Sequence, residues 1–247
     1  MRSQDLTTDR LLSAVPDLPQ WVELRAMLLS GRCEIYALED SERLSFVARH
    51  AEMELVSVYG RPAPDVIRQV ISLPPSPEAL LCLPDDRNHV AEALPEWRSE
   101  LATIYRLPNS ESLPEVPTGA VRLLSASELE AMDHAPAELK EELIDATNFS
   151  PVAATYVEQL PVSFCYGGSQ TESLWDISID TLAEYRNRGY AGLCVAFLIE
   201  YFRRRGLAPV WGALESNIPS MRLADKLGFT AVEKLVVFEQ SDQNATA

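Results

Sequence analysis

The sequence is poor in the side chains that ordinarily build metal or nucleophile centres. Its three histidines, His50, His89 and His134, are scattered, which disfavours a histidine-based nucleophile or a metal cluster. Its four cysteines, Cys33, Cys82, Cys165 and Cys194, contain no C-x-x-C pair. Three have apolar neighbours, as in Leu81-Cys82-Leu83, and they read as reduced, mostly buried thiols. Neither a G-x-x-x-x-G-K-[ST] loop nor a G-x-S-x-G elbow occurs. Long apolar runs are missing too. The longest, Ala191 to Ile199, is about half a membrane span and is followed at once by Glu200. The opening MRSQDLTTDRLLSAVPDLPQW shows no apolar core behind a basic end, so a soluble, cytoplasmic chain without membrane contact is expected. Basic residues are scarce: 21 against 37 acidic ones, for a net charge of -16. A phosphate backbone needs a basic footprint, so nucleic acid is not an expected partner. The acidity is even, because residues 1–118 carry 19 acids and 11 bases and residues 119–247 carry 18 and 10. An anionic ligand would therefore need a local device to bind.

What is present is an ordinary globular composition, 47% hydrophobic over 247 residues, enough for one large domain or two small ones. Leu107-Pro-Asn-Ser-Glu-Ser-Leu-Pro-Glu-Val-Pro-Thr-Gly119 has three prolines and small polar residues and reads as a linker. The expected division is residues 1–107, a linker at 108–119, and residues 120–247. The first part is mixed α and β. Strand-like runs fall at Cys33–Leu38, Leu44–Val47, Glu54–Tyr59, Ala79–Leu83 and Ala102–Leu107, and helices at Asp65–Ile71 and near Val90–Trp97. No catalytic constellation is visible there.

The second part is more informative. Val121–Leu124 reads as a strand, and Ser127-Glu-Leu-Glu130 as a serine-capped helix start. A helix over Ala137–Ala146 follows. Three antiparallel strands come next, Val152–Val157, Val162–Tyr166 and Leu174–Thr181, with turns at Gln159–Pro161 and Gly167–Ser169. A long helix from about Ala191 to Arg205 stops at Gly206. A strand at Pro209–Leu214, a helix at about Ile218–Leu227 and a strand at Ala231–Phe238 complete the order β-α-α-β-β-β-α-β-α-β.

Between the strand ending at Thr181 and the helix opening near Ala191 stands Arg186-Asn-Arg-Gly-Tyr-Ala191. A strand, a short glycine loop and a helix make an anion cradle, because first-turn N–H groups and the helix dipole converge on one point. Gly189 allows close backbone approach, and Arg186 and Arg188 add charge. Such a cradle would hold a phosphate despite the net charge. The alternative is an ordinary strand-to-helix turn. Downstream lies Asn217-Ile-Pro-Ser220-Met-Arg-Leu-Ala-Asp-Lys-Leu-Gly228-Phe229. On its own terms Asn217 is a plausible helix N-cap and Ser220 an exposed first-turn residue.

Taken together, Arg-x-x-Gly-x-Ala and Asn-x-x-Ser…Leu-Gly-Phe resemble the two motifs of the GCN5-related N-acetyltransferase (GNAT) superfamily, and the order of elements over residues 120–240 is also that family's. The wording looks most like the zwittermicin-resistance-type subgroup, which has an extra N-terminal α/β half. The resemblance implies an α/β protein: a C-terminal GNAT fold, a mixed, mostly antiparallel sheet flanked by helices, preceded by a smaller α/β domain, itself a degenerate relative. It implies acetyl-CoA as co-substrate, held by backbone groups of Ile179, Asp180 and Thr181 where strands splay. The amides of Arg188, Gly189, Tyr190, Ala191 and Gly192 would take the pyrophosphate, with Arg186 and Arg188 beside it. Asn217 would bond the pantetheine, and Ser220 would lie next to the cofactor.

One position departs from the family pattern. Many relatives carry a tyrosine in the last helix that protonates the leaving thiolate, and here that position is Ala224. A thiol of pKa about 8.5 leaves without full protonation, and Ser220, Tyr190 or water could serve instead. For the base that frees the amine, Asp176 and Glu215 are the candidates. The expected function is transfer of acetyl to a primary amine of a small molecule. The alternatives are an N-acyl amino acid synthase using a longer acyl-CoA and a non-catalytic acyl-CoA-binding regulatory module. No metal is expected, and a homodimer is compatible with the sequence.

Overall fold

The computed structural model describes residues 7–37, 44–50, 52, 54–109 and 111–240. In chain order the elements are α1 (Thr8–Ala14), α2 (Val22–Leu29), β1 (Glu34–Tyr36), β2 (Phe46–His50), β3 (Leu55–Tyr59), α3 (Pro64–Ile71), β4 (Ala79–Cys82), α4 (Arg87–Ala93) and β5 (Trp97–Arg106). Then come β6 (Val121–Leu124), α5 (Ala126–Glu130), α6 (Ala137–Ala146), β7 (Val152–Val157), β8 (Leu160–Gln170), β9 (Leu174–Thr181), α7 (Tyr190–Arg203), β10 (Ala208–Leu214), α8 (Ile218–Lys226) and β11 (Thr230–Gln240). They form two compact units. One gathers Met1–Ile104, Ala213–Ile218 and Ala231–Ala247; the other is Tyr105–Gly212 with Pro219–Thr230.

In the first unit the strands run in the order β1-β2-β3-β4-β11-β5. β2 alternates its side chains between two cores, which explains why all five of its residues are buried. Phe46 and Ala48 pack with Leu11, Leu24 and Met27 of α1 and α2. Val47 packs on the opposite side with Val66, Ile67 and Val70 of α3, and Val90 of α4. Buried Arg49 is fully employed, donating through Nη2 to the carbonyls of Leu73, Pro74 and Pro75 at 3.3, 2.8 and 3.0 Å. β11 is inserted between β4 and β5: Val236 pairs with Cys82 and Phe238 with Leu80, and both side chains enter the α3/α4 core.

The second unit has the order β10-β9-β8-β7-β6. The pairs β6–β7, β7–β8 and β8–β9 are antiparallel, and β9–β10 is parallel. Period-two alternation again sorts the faces. Ala154, Phe164 and Tyr166 meet Leu129 of α5 and Leu143 and Ala146 of α6. On the other face Trp175 packs its ring 4.4 Å from Phe202 of α7, and the Cys194 thiol of α7 reaches the Ala153 carbonyl at 3.2 Å. Burial pushes the Cys82 and Cys194 thiols up to about 12, so they stay protonated, and all four cysteines are free. The linker stretch lies against this unit. A Cβ at Gly228, whose φ is +86°, would come within 2.7 Å of the Ser112 Cβ, so only glycine fits that helix stop.

Several boundaries differ from the sequence expectation. The β7–β8 turn is Glu158-Gln159, both at positive φ, with Val157 paired to Leu160; Pro161 sits inside β8 beside a register shift, not in the turn. Gly167–Ser169 likewise belongs to β8, at a second register shift. Trp97 begins β5 and does not end a helix. α1 and α2 are not foreseen, because short helices with mixed apolar faces give little period-3.6 signal. Leu38 and Ser110 of the expected strand and linker lie outside the described residues.

The cap of α5 is Ser125, two residues before the expected Ser127. Its Oγ accepts from the Glu128 N–H at 3.3 Å, and Glu128 Oε2 accepts from the Ser125 N–H at 2.9 Å. These bonds, with Arg122 at 2.5 Å, hold the Glu128 carboxyl down at about 2. Its contribution to stability is therefore fully present above pH 4.5 and is lost as pH falls through about 2. Ser125→Ala is expected to cost about 1 kcal/mol in urea unfolding at pH 6. The difference between Glu128→Gln and the parent should fade as the titration is taken down toward pH 2.

Candidate active site

β9 and β10 pair over Leu174–Asp176 and Ala208–Val210. Beyond that pairing β9 runs on to Thr181, and β10 through Trp211 and Gly212. Ile179, Asp180 and Thr181 lie on this continuation of β9. A 3-10 turn at Ala183–Tyr185 then leads into the loop before α7.

That loop is shaped by two left-handed residues. Asn187 has φ 61° and Gly189, the N-cap of α7, has φ 84° and ψ 0°. A Cβ built on Gly189 meets nothing within 4 Å, so the backbone faces open space. The Leu193 N–H reaches the Gly189 carbonyl at 3.4 Å, and the N–H groups of Tyr190, Ala191 and Gly192, ahead of that bond, belong to the unsatisfied first turn. Arg188 is exposed, with its guanidinium 5.6 Å from the Tyr185 ring centroid. Arg186 folds back, its Nε donating to the Thr181 carbonyl at 3.0 Å. The strand end and the loop are thus tied together by one of the arginines. The first turn of α7 is seated from below by Thr155, whose hydroxyl donates to the Tyr190 carbonyl at 3.0 Å. Buried Gly192 faces Leu227 and Pro114.

Ser220 stands in the first turn of α8, where its Oγ accepts a 2.9 Å bond from the Trp211 indole N–H. Trp211 is buried and packs edge-on against Phe229 at 5.4 Å. Ala224 is completely buried, and its carbonyl accepts from the Phe229 N–H at 3.0 Å. A tyrosine would not fit there without moving the helix. Asn217 and Glu215 belong to the first unit. The Asn217 N–H bonds the Leu214 carbonyl at 2.9 Å, and Glu215 pairs with Lys234 at 2.6 Å.

Asp176, Ser178 and Asp180 alternate along one face of β9, the side of β8 that carries Phe164, Tyr166 and Gly168. Gly168 lies beside two of them: its Cβ would fall 3.0 Å from Ser178 Oγ and 3.6 Å from Asp176 Oδ2. Burial raises the Asp180 carboxyl, nearby Glu142 raises it further, and Arg186 opposes both. Two groups on this face have no expectation from sequence. The Tyr166 hydroxyl donates to Glu142 Oε1 at 2.5 Å, and Phe149 is 60% exposed. Glu142 and Tyr166 are 24 positions apart, on a helix and a strand, and no local spacing links them.

Among the described residues no group of three His, Cys, Asp or Glu side chains could hold a metal ion, and no helix is long and apolar enough to cross a membrane.

Residues 152–238 match the family model of the GNAT acetyltransferases. No curated protein matches the sequence. Among solved structures, a GCN5-related N-acetyltransferase-like protein from Streptococcus suis superposes with a TM-score of 0.70 at 18% identity, covering 95% of this chain and 98% of its own. An acetyltransferase of the GNAT family from Novosphingobium aromaticivorans gives 0.61 at 14% identity, with coverages of 91% and 98%. A GCN5-related N-acetyltransferase from Kribbella flavida gives 0.61 at 13% identity, with coverages of 92% and 95%. At these identities the structures speak for the fold alone. Residues 152–238 are thus similar in sequence to the GNAT acetyltransferases, and the chain shares the fold of these solved structures.

Proposed function

We propose that the protein is an acyl-CoA-dependent N-acetyltransferase that moves acetyl from acetyl-CoA to a primary amine of a small molecule. The observation that carries this reading is the loop before α7. Two left-handed residues leave Gly189 facing open space at the start of a 14-residue helix, with Arg188 exposed beside it. Backbone donors arranged this way suit a pyrophosphate even in a chain of net charge -16.

Acetyl-CoA supplies an activated thioester. The amides of Arg188 to Gly192 hold its pyrophosphate, and Arg186, bonded to the Thr181 carbonyl, fixes the strand end against that loop. Ile179, Asp180 and Thr181 offer backbone groups to the pantetheine arm and acetyl group, and a β9 N–H receives the charge that gathers on the thioester oxygen. Ser220 completes the cofactor contacts within the second unit. The Ser220 hydroxyl is oriented by the Trp211 indole N–H, from which its oxygen accepts. An amine arrives mostly as ammonium and must lose a proton before it attacks. Asp176, beside Gly168 on the polar face of β9, is the base favoured here.

The test has two arms. Calorimetry with acetyl-CoA should give one binding event per chain, and thiol release with a panel of primary amines should exceed the amine-free rate. Binding without release from any amine would favour the regulatory module. Faster release with long-chain acyl-CoA and an amino acid would favour the N-acyl amino acid synthase.

A further inference from the structure

The face of β8 and β9 that carries Asp176, Ser178 and Asp180 has a second set of groups along its α6 side. Tyr166 is buried, and its hydroxyl donates to the carboxylate of Glu142, an exposed residue. Ser178, directly opposite Tyr166 in the β8–β9 ladder, also bonds that hydroxyl, and Asp180 follows two residues on. Phe149 stands next to this row, its ring centroid 6.4 Å from that of Tyr166 and tilted 70°.

Phe149 is the most exposed large apolar side chain described, at 60%, yet it is held in place. The Phe149 N–H bonds the Ala146 carbonyl at 3.1 Å. The next residue, Ser150, accepts from the Gly167 N–H at 2.8 Å, pinning the segment to β8. A phenyl ring kept in water gains nothing for the fold. A lone exposed apolar residue is ordinary, but this one is fixed edge-on to a tyrosine whose hydroxyl is already committed to a carboxylate. The chemistry of the row is one-sided: carboxylate oxygens, a hydroxyl and ring faces, which together suit a cation carried on an apolar body. Arg186, the cation that acts on Asp180, spends its Nε on the Thr181 carbonyl.

We propose that Glu142, Phe149, Tyr166 and Asp180 form the acceptor subsite, and that it takes a primary ammonium borne on an aromatic body. This rests on the acetyl-transfer reading above. Glu142 and Asp180 attract the ammonium, Tyr166 positions the Glu142 carboxylate, and Phe149 covers the ring of the acceptor. An amino acid, whose own carboxylate would meet Glu142 and Asp180, is disfavoured.

The experiment measures direct binding first. Saturation-transfer NMR on the full chain should show 2-phenylethylamine bound and propylamine and phenylalanine bound more weakly. The acetyl-transfer rate, followed by thiol release, should rank the three in the same order. Phe149→Ala should cut the preference for 2-phenylethylamine over propylamine roughly five-fold, about 1 kcal/mol, while leaving the KM for acetyl-CoA unchanged. Glu142→Gln should weaken both amines and flatten the dependence of kcat/KM on salt. An intact preference in Phe149→Ala, or equal use of phenylalanine, would overturn the proposal. So would an absence of amine binding while acetyl-CoA binds normally. Amine binding in a protein that fails to bind acetyl-CoA would instead overturn the acetyl-transfer reading and leave the subsite standing.

Discussion

Gly189→Glu is expected to weaken acetyl-CoA binding at least about ten-fold, or 1.4 kcal/mol, with the fold retained. Gly189 has φ 84° and ψ 0°, a conformation that costs any L side chain about 1–2 kcal/mol. That cost is common to every substitution. Sterics add nothing within the protein, because the Cβ position is clear of other atoms for 4 Å. What distinguishes glutamate is where its carboxylate goes. It enters the space in front of the first-turn amides of α7, where it competes for the same N–H groups and repels a pyrophosphate. Gly189→Ala carries the backbone cost without the charge and should lose far less affinity. Calorimetry on the two variants separates the effects. Equal affinities for glutamate, alanine and parent would remove the cofactor from this loop.

Phe238→Ala should destabilise the first unit by about 3–5 kcal/mol, the usual range for deleting a fully buried phenylalanine. Phe238 is completely buried, pairs with Leu80 across β4 and β11, and shares a core with Val56, Val66, Ile67 and Val70. Removing its ring leaves a cavity lined by side chains of α3 and the sheet, and a packed core collapses into such a gap only in part. Urea unfolding followed by circular dichroism reads the loss. A corollary concerns residues 1–107, which lack β11 altogether: expressed alone, they should show no cooperative transition. A loss under about 1 kcal/mol in Phe238→Ala, or a folded 1–107 fragment, would contradict the assignment of β11 to this core.

The sequence makes the second half of the fold legible to a degree that follows from its patterning. Val121–Leu124, Ala137–Ala146, Val152–Val157 and Leu174–Thr181 coincide with β6, α6, β7 and β9 to the residue. Each is a run with clean period and clear stops. β8 is misjudged at both ends because proline and paired glycines are turn signals in sequence, whereas here they sit at register shifts within a strand. The cradle before α7 was readable because its residues are contiguous: strand, arginine, glycine, helix. The row on the other face was not. Glu142, Tyr166 and Asp180 come from three elements and Phe149 from the turn after α6, and only pairing registers and the packing of α6 gather them. The same limit applies to β11, whose place beside β4 leaves no trace in either strand's own pattern.

That placement of β11 has a consequence for how the protein is made. Cys82 and its ladder partner Val236 are 154 positions apart. At synthesis rates of about 5–20 residues per second, β4 emerges about 8–30 s before the strand that covers it. During that interval the nascent chain carries an open strand edge at Ala79–Cys82 and a hydrophobic face lacking Val236 and Phe238. Exposed edges of this kind recruit other chains. The half made first is thus completed last, and the yield of soluble protein should follow the supply of chaperones that shield nascent chains more closely than it follows the stability of the finished fold.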